Sequence, residues 1–356
     1  MNNQLNFLVG ISDFKKIREN DYYYIDKSGL IKELLKRESA EVTLITRPRR
    51  FGKTMRMSML AHFFDIRSDN RRLFDGLEII YDEALCNAWM NLFKELKSGS
   101  AGKIQVGQSL HTMSTALKDN TTLRFAVITG CLKIAKESIF TGTNNFVPDN
   151  ITDSRFNEYF GFTQEEVDQI LTDANVSGKA EEVKRWYDGF IFGQRRDIYN
   201  PWSITNYLKE KKLKPYWAAT SSNALISKLI QTASADMKKQ MERLLNGELI
   251  TVSFDEQVVF SQLEQDESAI WSLLVASGYL KVEDVEYRGM TLEPWYHLDI
   301  TNLETVSMFS NMFKGWFAPV ASNYNEFIRA LLEGNVKAMN LYMNDVALAT
   351  FSSFDV

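Results

Sequence analysis

Cysteine is scarce in this chain: Cys86 and Cys131 are the two among 356 residues. A disulfide framework is therefore excluded, and a reducing compartment fits. Histidine is nearly as rare, and His62, His111 and His297 are scattered with no partner at ligand spacing, so a His/Cys metal centre has no support. No apolar run reaches membrane-spanning length. The opening MNNQLNFLVGI lacks the basic start and long apolar core of a secretory leader. Neither sign of charge dominates. The 41 Lys and Arg against 46 Asp and Glu leave a net charge of −5, which argues against a surface given over to nucleic acid. No internal repeat is evident. These absences lead to the expectation of a cytoplasmic globular protein with no membrane among its partners, long enough for two or more domains.

What is present is organised around residues 42–64, VTLITRPRRFGKTMRMSMLAHFF. A short apolar strand with Val42, Leu44 and Ile45 leads into a basic turn, then a helix with Met55, Met59, Leu60 and Phe63 on one face. The turn ends in Gly52-Lys53-Thr54, the closing part of the phosphate-binding pattern G-x-x-x-x-G-K-[ST]. A strand that delivers the chain to a helix N-terminus offers unpaired N–H groups and a favourable dipole to an anion. Gly52 lets backbone approach the phosphates, Lys53 reaches the terminal ones, and Thr54 can place its hydroxyl on Mg2+. Pro48, Arg49, Arg50 and Phe51 supply the rest of the loop backbone. Arg47, Arg49 and Arg50 add positive charge that suits a triphosphate or a nucleic-acid backbone. The pattern's first glycine is missing, because that position is Arg47. The plainer alternative is a basic, solvated strand-to-helix turn.

Along the chain, Tyr22, Tyr23, Tyr24 and Ile25 form a β-favouring run, and Asp26 offers an N-cap to a helix carrying Leu30, Ile31, Leu34 and Leu35. Tyr24 and Asp26 then lie either near the base side of a nucleotide or in simple packing against the sheet. Residues 77–83 have the form of a strand ending in Asp82 and Glu83, as a second ATPase motif requires. Glu78 interrupts that run, so Asp82 reads better as the cap of a helix over 84–93. Residues 94–105 have the composition of a flexible connection, followed by a helix through Val106, Leu110, Met113 and Leu117. Residues 123–128 read as a buried strand that ends at Thr129, the place where ligands bind in open α/β sheets. Thr129 is thus a candidate γ-phosphate sensor, or a turn cap. Lys133 and Lys136 face phosphates or solvent.

Beyond residue 150 helices take over. Thr163 and Glu166 form a capping box, and Asn200 caps a helix with Pro201 at its first position. Met237, Met241, Leu244 and Leu245 line a helix stopped by Gly247. Residues 268–282 read as a helix, a stop at Gly278 and a strand. A β-ribbon over 285–300 makes 236–300 resemble a winged helix. Further helices are expected over 302–317, 323–333 and 335–344.

The stretches DYYYIDKSGLI, TRPRRFGKT, LRFAVITGCLKIAKESIFTGTNNF, YFGFTQEEV, WYDGFIFG, YNPWSI, YWAATSSN and WSLLVASGYL occur in that order over most of 10–317. Together they resemble the bacterial AAA-ATPase-like family that usually carries a C-terminal PD-(D/E)XK nuclease domain. Members of that family have R-P-R-R-F-G-K-[ST] in place of a complete phosphate loop, so Arg47 departs from the general motif and not from the family. The resemblance implies an α/β fold: a P-loop NTPase-like parallel sheet with helices, then a mostly helical lid and a winged-helix-like region. The corresponding division is 1–150 core, 151–235 lid, 236–317 winged-helix-like module and 318–356 helical lead-in to a nuclease domain. ATP and Mg2+ are the implied cofactors.

Two departures qualify the activity. The family's apolar strand ending in Asp-Glu is replaced here by SGSAGKIQVGQSLHTM, so the acids that organise Mg2+ and water are expected to be missing. The nuclease core is expected beyond residue 356, and Glu95-Leu96-Lys97 and Glu182-Val183-Lys184 sit in charged helical contexts that do not replace it. The expectation is an ATP-binding protein with weak or lost hydrolysis. The alternatives are a non-enzymatic scaffold or nucleic-acid binder using the winged-helix-like region and the basic residues of 47–56, or a relic of a longer nuclease-linked ATPase. Lost sheet order around 91–122 would expose an edge and favour a homo-oligomer or a protein partner.

Overall fold

The β-branched and apolar residues of strand β1 (Val42–Thr46) are all buried. A strand buried on both faces belongs in the middle of a parallel sheet. In the computed structural model β1 lies between β2 (Ala126–Gly130) and β3 (Phe146–Asp149) and is parallel to both. Ile45 is in register with Thr129 on one side and Asp149 on the other, so three carboxyl ends finish at one level beside the loop that follows β1. Residues 6–7, 9–36, 42–65, 67–82, 126–131, 146–220, 223–256, 263, 266–317, 330–331 and 333–350 are described. The α/β class and the parallel sheet agree with the sequence. Strand β3 was not legible there, because Pro148 argues against a strand interior. It is tolerated because β3 is an edge among the described strands, with Val147 and Pro148 exposed.

Three helices precede or follow β1 in sequence, α1 (Phe14–Glu19), α2 (Gly29–Leu35) and α3 (Lys53–Phe64), with α1 packed on α3. The aromatic run at 22–25 joins no ladder. Its Tyr24 hydroxyl instead meets Met59 Sδ of α3 at 3.4 Å. Nor does Asp26 cap α2, whose N-cap residue is Ser28. The Asp26 carboxylate accepts from the Ser28 N–H at 2.8 Å and the Glu78 N–H at 2.6 Å, tying α2 to the 3-10 turn Glu78–Tyr81. That turn replaces the strand-like form of 77–83, as the interrupting Glu78 suggests. The helix expected over 84–93, the connection and helix after it, and Lys133 and Lys136 lie outside the described residues.

After β3 come α4 (Gln164–Asp173), α5 (Ala180–Tyr187), the hairpin of β4 (Phe190–Phe192) with β5 (Arg195–Ile198), and α6 (Pro201–Glu210). Both halves of the Thr163–Glu166 capping box are formed, and the Asn200 carboxamide caps α6 with Pro201 in its first turn. All of these belong to one compact unit, Met1–Leu213.

A second compact unit spans Lys214–Val356. It contains α7 (Ala224–Thr232), α8 (Ala235–Leu245), β6 (Ile250–Val252), α9 (Glu267–Ala276), β7 (Leu280–Arg288), β8 (Glu293–Ile300), α10 (Leu303–Phe317) and α11 (Val336–Thr350). Gly247 and Gly278 follow α8 and α9 at φ 81° and 80°, as their roles as stops require. The ribbon is present as β7–β8, and β6 adds antiparallel to β8.

Candidate functional site

The loop between β1 and α3 contains two residues in the left-handed region, Arg50 at φ 67° and Gly52 at φ 77°. Left-handed residues in a turn gather successive N–H groups into a concavity for anions. Gly52 is the N-cap residue of α3, and no side chain caps that end. A Cβ there would meet only Arg56 Nη2 at 4.0 Å, so the φ, and not crowding, calls for glycine. Lys53 curls back over the loop, its Nζ donating to the Arg47 carbonyl at 2.8 Å and the Pro48 carbonyl at 2.6 Å. Burial pushes the Lys53 ammonium below the usual lysine range, and the neighbouring Cys131 thiol opposes that shift. Among the described residues no carboxylate pairs with Lys53. Thr54, in the first turn of α3, is exposed.

Several side chains fix this loop from outside. Phe51 is fully buried against Phe190 and Phe192, with ring centroids 4.8 and 5.2 Å away. Gly161 makes room for it: at φ 89°, a Cβ on residue 161 would come within 3.1 Å of the Phe51 ring. Asn200, besides capping α6, donates from Nδ2 to the Arg49 carbonyl at 3.2 Å. Arg50 is exposed and lies over the Trp202 ring at 4.1 Å. Pro48 is buried and Arg49 exposed. The sequence-named loop residues therefore divide in two. Gly52, Lys53 and Thr54 form the open helix end, whereas Pro48 and Phe51 anchor it.

Arg47, which stands where the general motif has glycine, is 0% exposed. Its Nη2 pairs with Asp149 Oδ1 at 2.5 Å, and its Nη1 donates to the carbonyls of Thr46, Asp149 and Asn150 at 2.8, 3.1 and 2.8 Å. The Phe160 and Phe192 rings lie 5.7 and 5.2 Å from the guanidinium. Burial raises the Asp149 carboxyl above its usual range, and the guanidinium opposes that rise. Arg47 is thus a strap between the end of β1 and the end of β3, turned away from solvent. Asp149, an acid at the carboxyl end of a strand beside β1, is a residue that sequence reasoning missed, and this strap engages it.

Thr129, the penultimate residue of β2, is level with Ile45, and the carbonyl of Gly130 accepts the Arg47 N–H at 3.1 Å, so β2 finishes alongside the loop. Asp82 pairs with Lys32 at 2.8 Å and is directed at α2. Arg56 is the second missed residue. It is buried among the apolar residues of α3, and its position three and four residues before Met59 and Leu60 was the signal.

A known family and a known sequence resemble this chain. A family model described as "Predicted AAA-ATPase" matches residues 8–98, which include β1, the loop and α3. A protein of Azotobacter chroococcum mcd 1 described as "Uncharacterized protein in vnfD 5'region" is 24% identical over 366 residues, covering 83% of this chain and 67% of that protein.

Proposed function

We propose that this chain binds a nucleoside triphosphate, ATP by preference, through its phosphates at the loop between β1 and α3. The match of residues 8–98 to an AAA-ATPase-like domain is the premise. The observation that carries the reading is Lys53: a largely buried ammonium, satisfied by loop carbonyls and paired with no carboxylate among the described residues, at an uncapped helix N-terminus. A cation held this way is available to an anion. Lys53 and the backbone N–H groups of 49–53 would hold the phosphates, and the Thr54 hydroxyl would hold Mg2+. When bound, Mg2+ neutralises charge between phosphates. Thr129 is the proposed γ-phosphate sensor.

Hydrolysis is weak or lost in this reading. Phosphoryl transfer relies on an organised metal and a positioned water, and the acid at the end of β3 is engaged by Arg47. The lid and winged-helix-like names belong to the same proposal, supported by helices α4 to α6 and by the β6–β8–β7 sheet with α8 and α9. So do the nuclease association and the internal shortening.

ATP binding measured by equilibrium dialysis should fall sharply in Lys53→Ala, and unchanged binding removes the idea. The exposed Arg49 and Arg50 favour nucleic acid as a second reading. It calls for salt-dependent DNA binding that ignores ATP and survives Lys53→Ala. Against it, Arg47 and Arg56 of the basic run face inward. The β7–β8 ribbon also sets Glu283, Asp284, Glu286, Glu293 and Asp299 against Lys281 and Arg288.

A further inference from the structure

Arg56 presents an electrostatic problem. Its side chain is 1% exposed, yet no carboxylate among the described residues forms an ion pair with it. Its Nε donates to the Tyr159 carbonyl at 3.0 Å, its guanidinium lies 6.0 Å from the Tyr24 ring centroid, and its Nη1 has no hydrogen-bond partner among the described residues. Lys27, a neighbouring buried cation, adds to the positive field and is itself taken up by Glu166 at 2.5 Å and the Glu158 carbonyl. Arg47 has Asp149. A guanidinium withdrawn from water without a counter-charge is strongly unfavourable, and a fold keeps one only where something compensates it.

The direction of the side chain shows where that compensation would come from. Arg56 sits on the first turn of α3, four residues after Gly52, and its Nη2 reaches to 4.0 Å of where a Cβ on Gly52 would be. The fork therefore ends beside the residue that opens the helix, while Lys53 engages the carbonyls of Arg47 and Pro48 in the preceding loop. One buried guanidinium with an unpartnered Nη1 and the half-buried Lys53 thus both belong to the start of α3.

We propose that Arg56 is a phosphate-binding residue of this site, supplying from the protein interior the second fixed positive charge that the polyphosphate chain requires. The inference rests on the nucleotide reading above and deepens it. Because Arg56 binds the phosphates and not the base or ribose, inorganic pyrophosphate must depend on Arg56 as ATP does.

The test is isothermal titration of the full chain with ATP and with inorganic pyrophosphate, for wild type, Arg56→Gln, Arg56→Lys and Lys53→Ala. Glutamine keeps a donor for the Tyr159 carbonyl and removes the charge; lysine keeps the charge. Arg56→Gln should weaken both ligands by a similar factor, about 10- to 100-fold, the range that charge-assisted hydrogen bonds command, while Arg56→Lys retains most of the binding. A folded Arg56→Gln that binds both ligands like wild type, while Lys53→Ala loses them, overturns the proposal and leaves the nucleotide reading standing. Loss of ATP binding alone, with pyrophosphate unaffected, overturns it too, by placing Arg56 at the base. Unaltered binding in Lys53→Ala overturns the reading beneath it. If Arg56→Gln does not fold, the arginine side-chain 15N spectrum of the wild-type protein decides, with Arg56→Lys assigning the resonance. Saturating pyrophosphate should shift that resonance, and an unshifted one refutes the role.

Discussion

The two compact units treat buried charge differently. In the unit that carries the loop between β1 and α3, Lys27, Arg47, Arg56 and Asp149 are all withdrawn from water. In the other, the buried charged side chain among the described residues is Glu304, in the first turn of α10, where its carboxylate accepts the Trp217 N–H at 2.5 Å and faces a favourable helix dipole. The second unit's charge is satisfied by its own backbone. In the first unit Lys27 pairs with Glu166 and Arg47 with Asp149, which leaves Arg56, beside the start of α3, as the buried cation with no ion pair among the described residues. In the reading proposed above, that contrast separates a structural module from the unit that would receive an anion.

The sharpest way to break the contrast is to unpair the strap. Asp149→Ala leaves Arg47 buried without its counter-charge and should cost about 3–5 kcal/mol in chemical denaturation. The double replacement Arg47→Met with Asp149→Leu should recover much of that loss, and failure to do so would show that Arg47 does more than tie β1 to β3. Next comes Asn200→Ala, which removes the cap of α6 and leaves the Arg49 carbonyl without its donor. A loss of about 1–2 kcal/mol is expected, with weaker nucleotide binding as the loop loosens. In the second unit, Glu304→Gln keeps an acceptor for Trp217 and should cost no more than about 1 kcal/mol in the same assay. An effect there as large as that of Asp149→Ala would erase the difference between the units.

The smallest effect is a pH slope. Burial, a hydrogen bond to Asp197 and the Asp197 charge push the Asp188 carboxyl up to about 7 from an ordinary 3.8. Between those values the native state holds a proton that the unfolded chain has released, so stability should decline as pH rises from about 4 to about 7. Melting temperatures across that range should fall less steeply in Asp188→Asn. An unchanged slope would assign the pH dependence to other groups.

Much of this was legible in the sequence where a local rule decides the outcome. The strand, loop and helix at 42–64, the Thr163–Glu166 box, the Asn200–Pro201 start and the stops at Gly247 and Gly278 each follow from a cap, a period or a glycine. What stayed hidden depends on distant partners. Asp26 looks like a cap until Glu78 supplies a second donor for its carboxylate, and the aromatic run at 22–25 looks like a strand until Tyr24 finds α3. Pro148 conceals β3 because edge position is not written in a single sequence. Arg47 reads as a solvated loop charge, since nothing nearby announces Asp149, 102 residues away. Arg56 was hidden for the opposite reason, because charge on a helix normally means exposure.

Hydrogen exchange at residues 47–56, followed by mass spectrometry with and without saturating ATP, tests most directly whether this helix end receives a polyphosphate. ATP should slow exchange there in the wild-type protein and leave Lys53→Ala unaffected. Identical exchange in the wild type with and without the nucleotide would contradict the assignment.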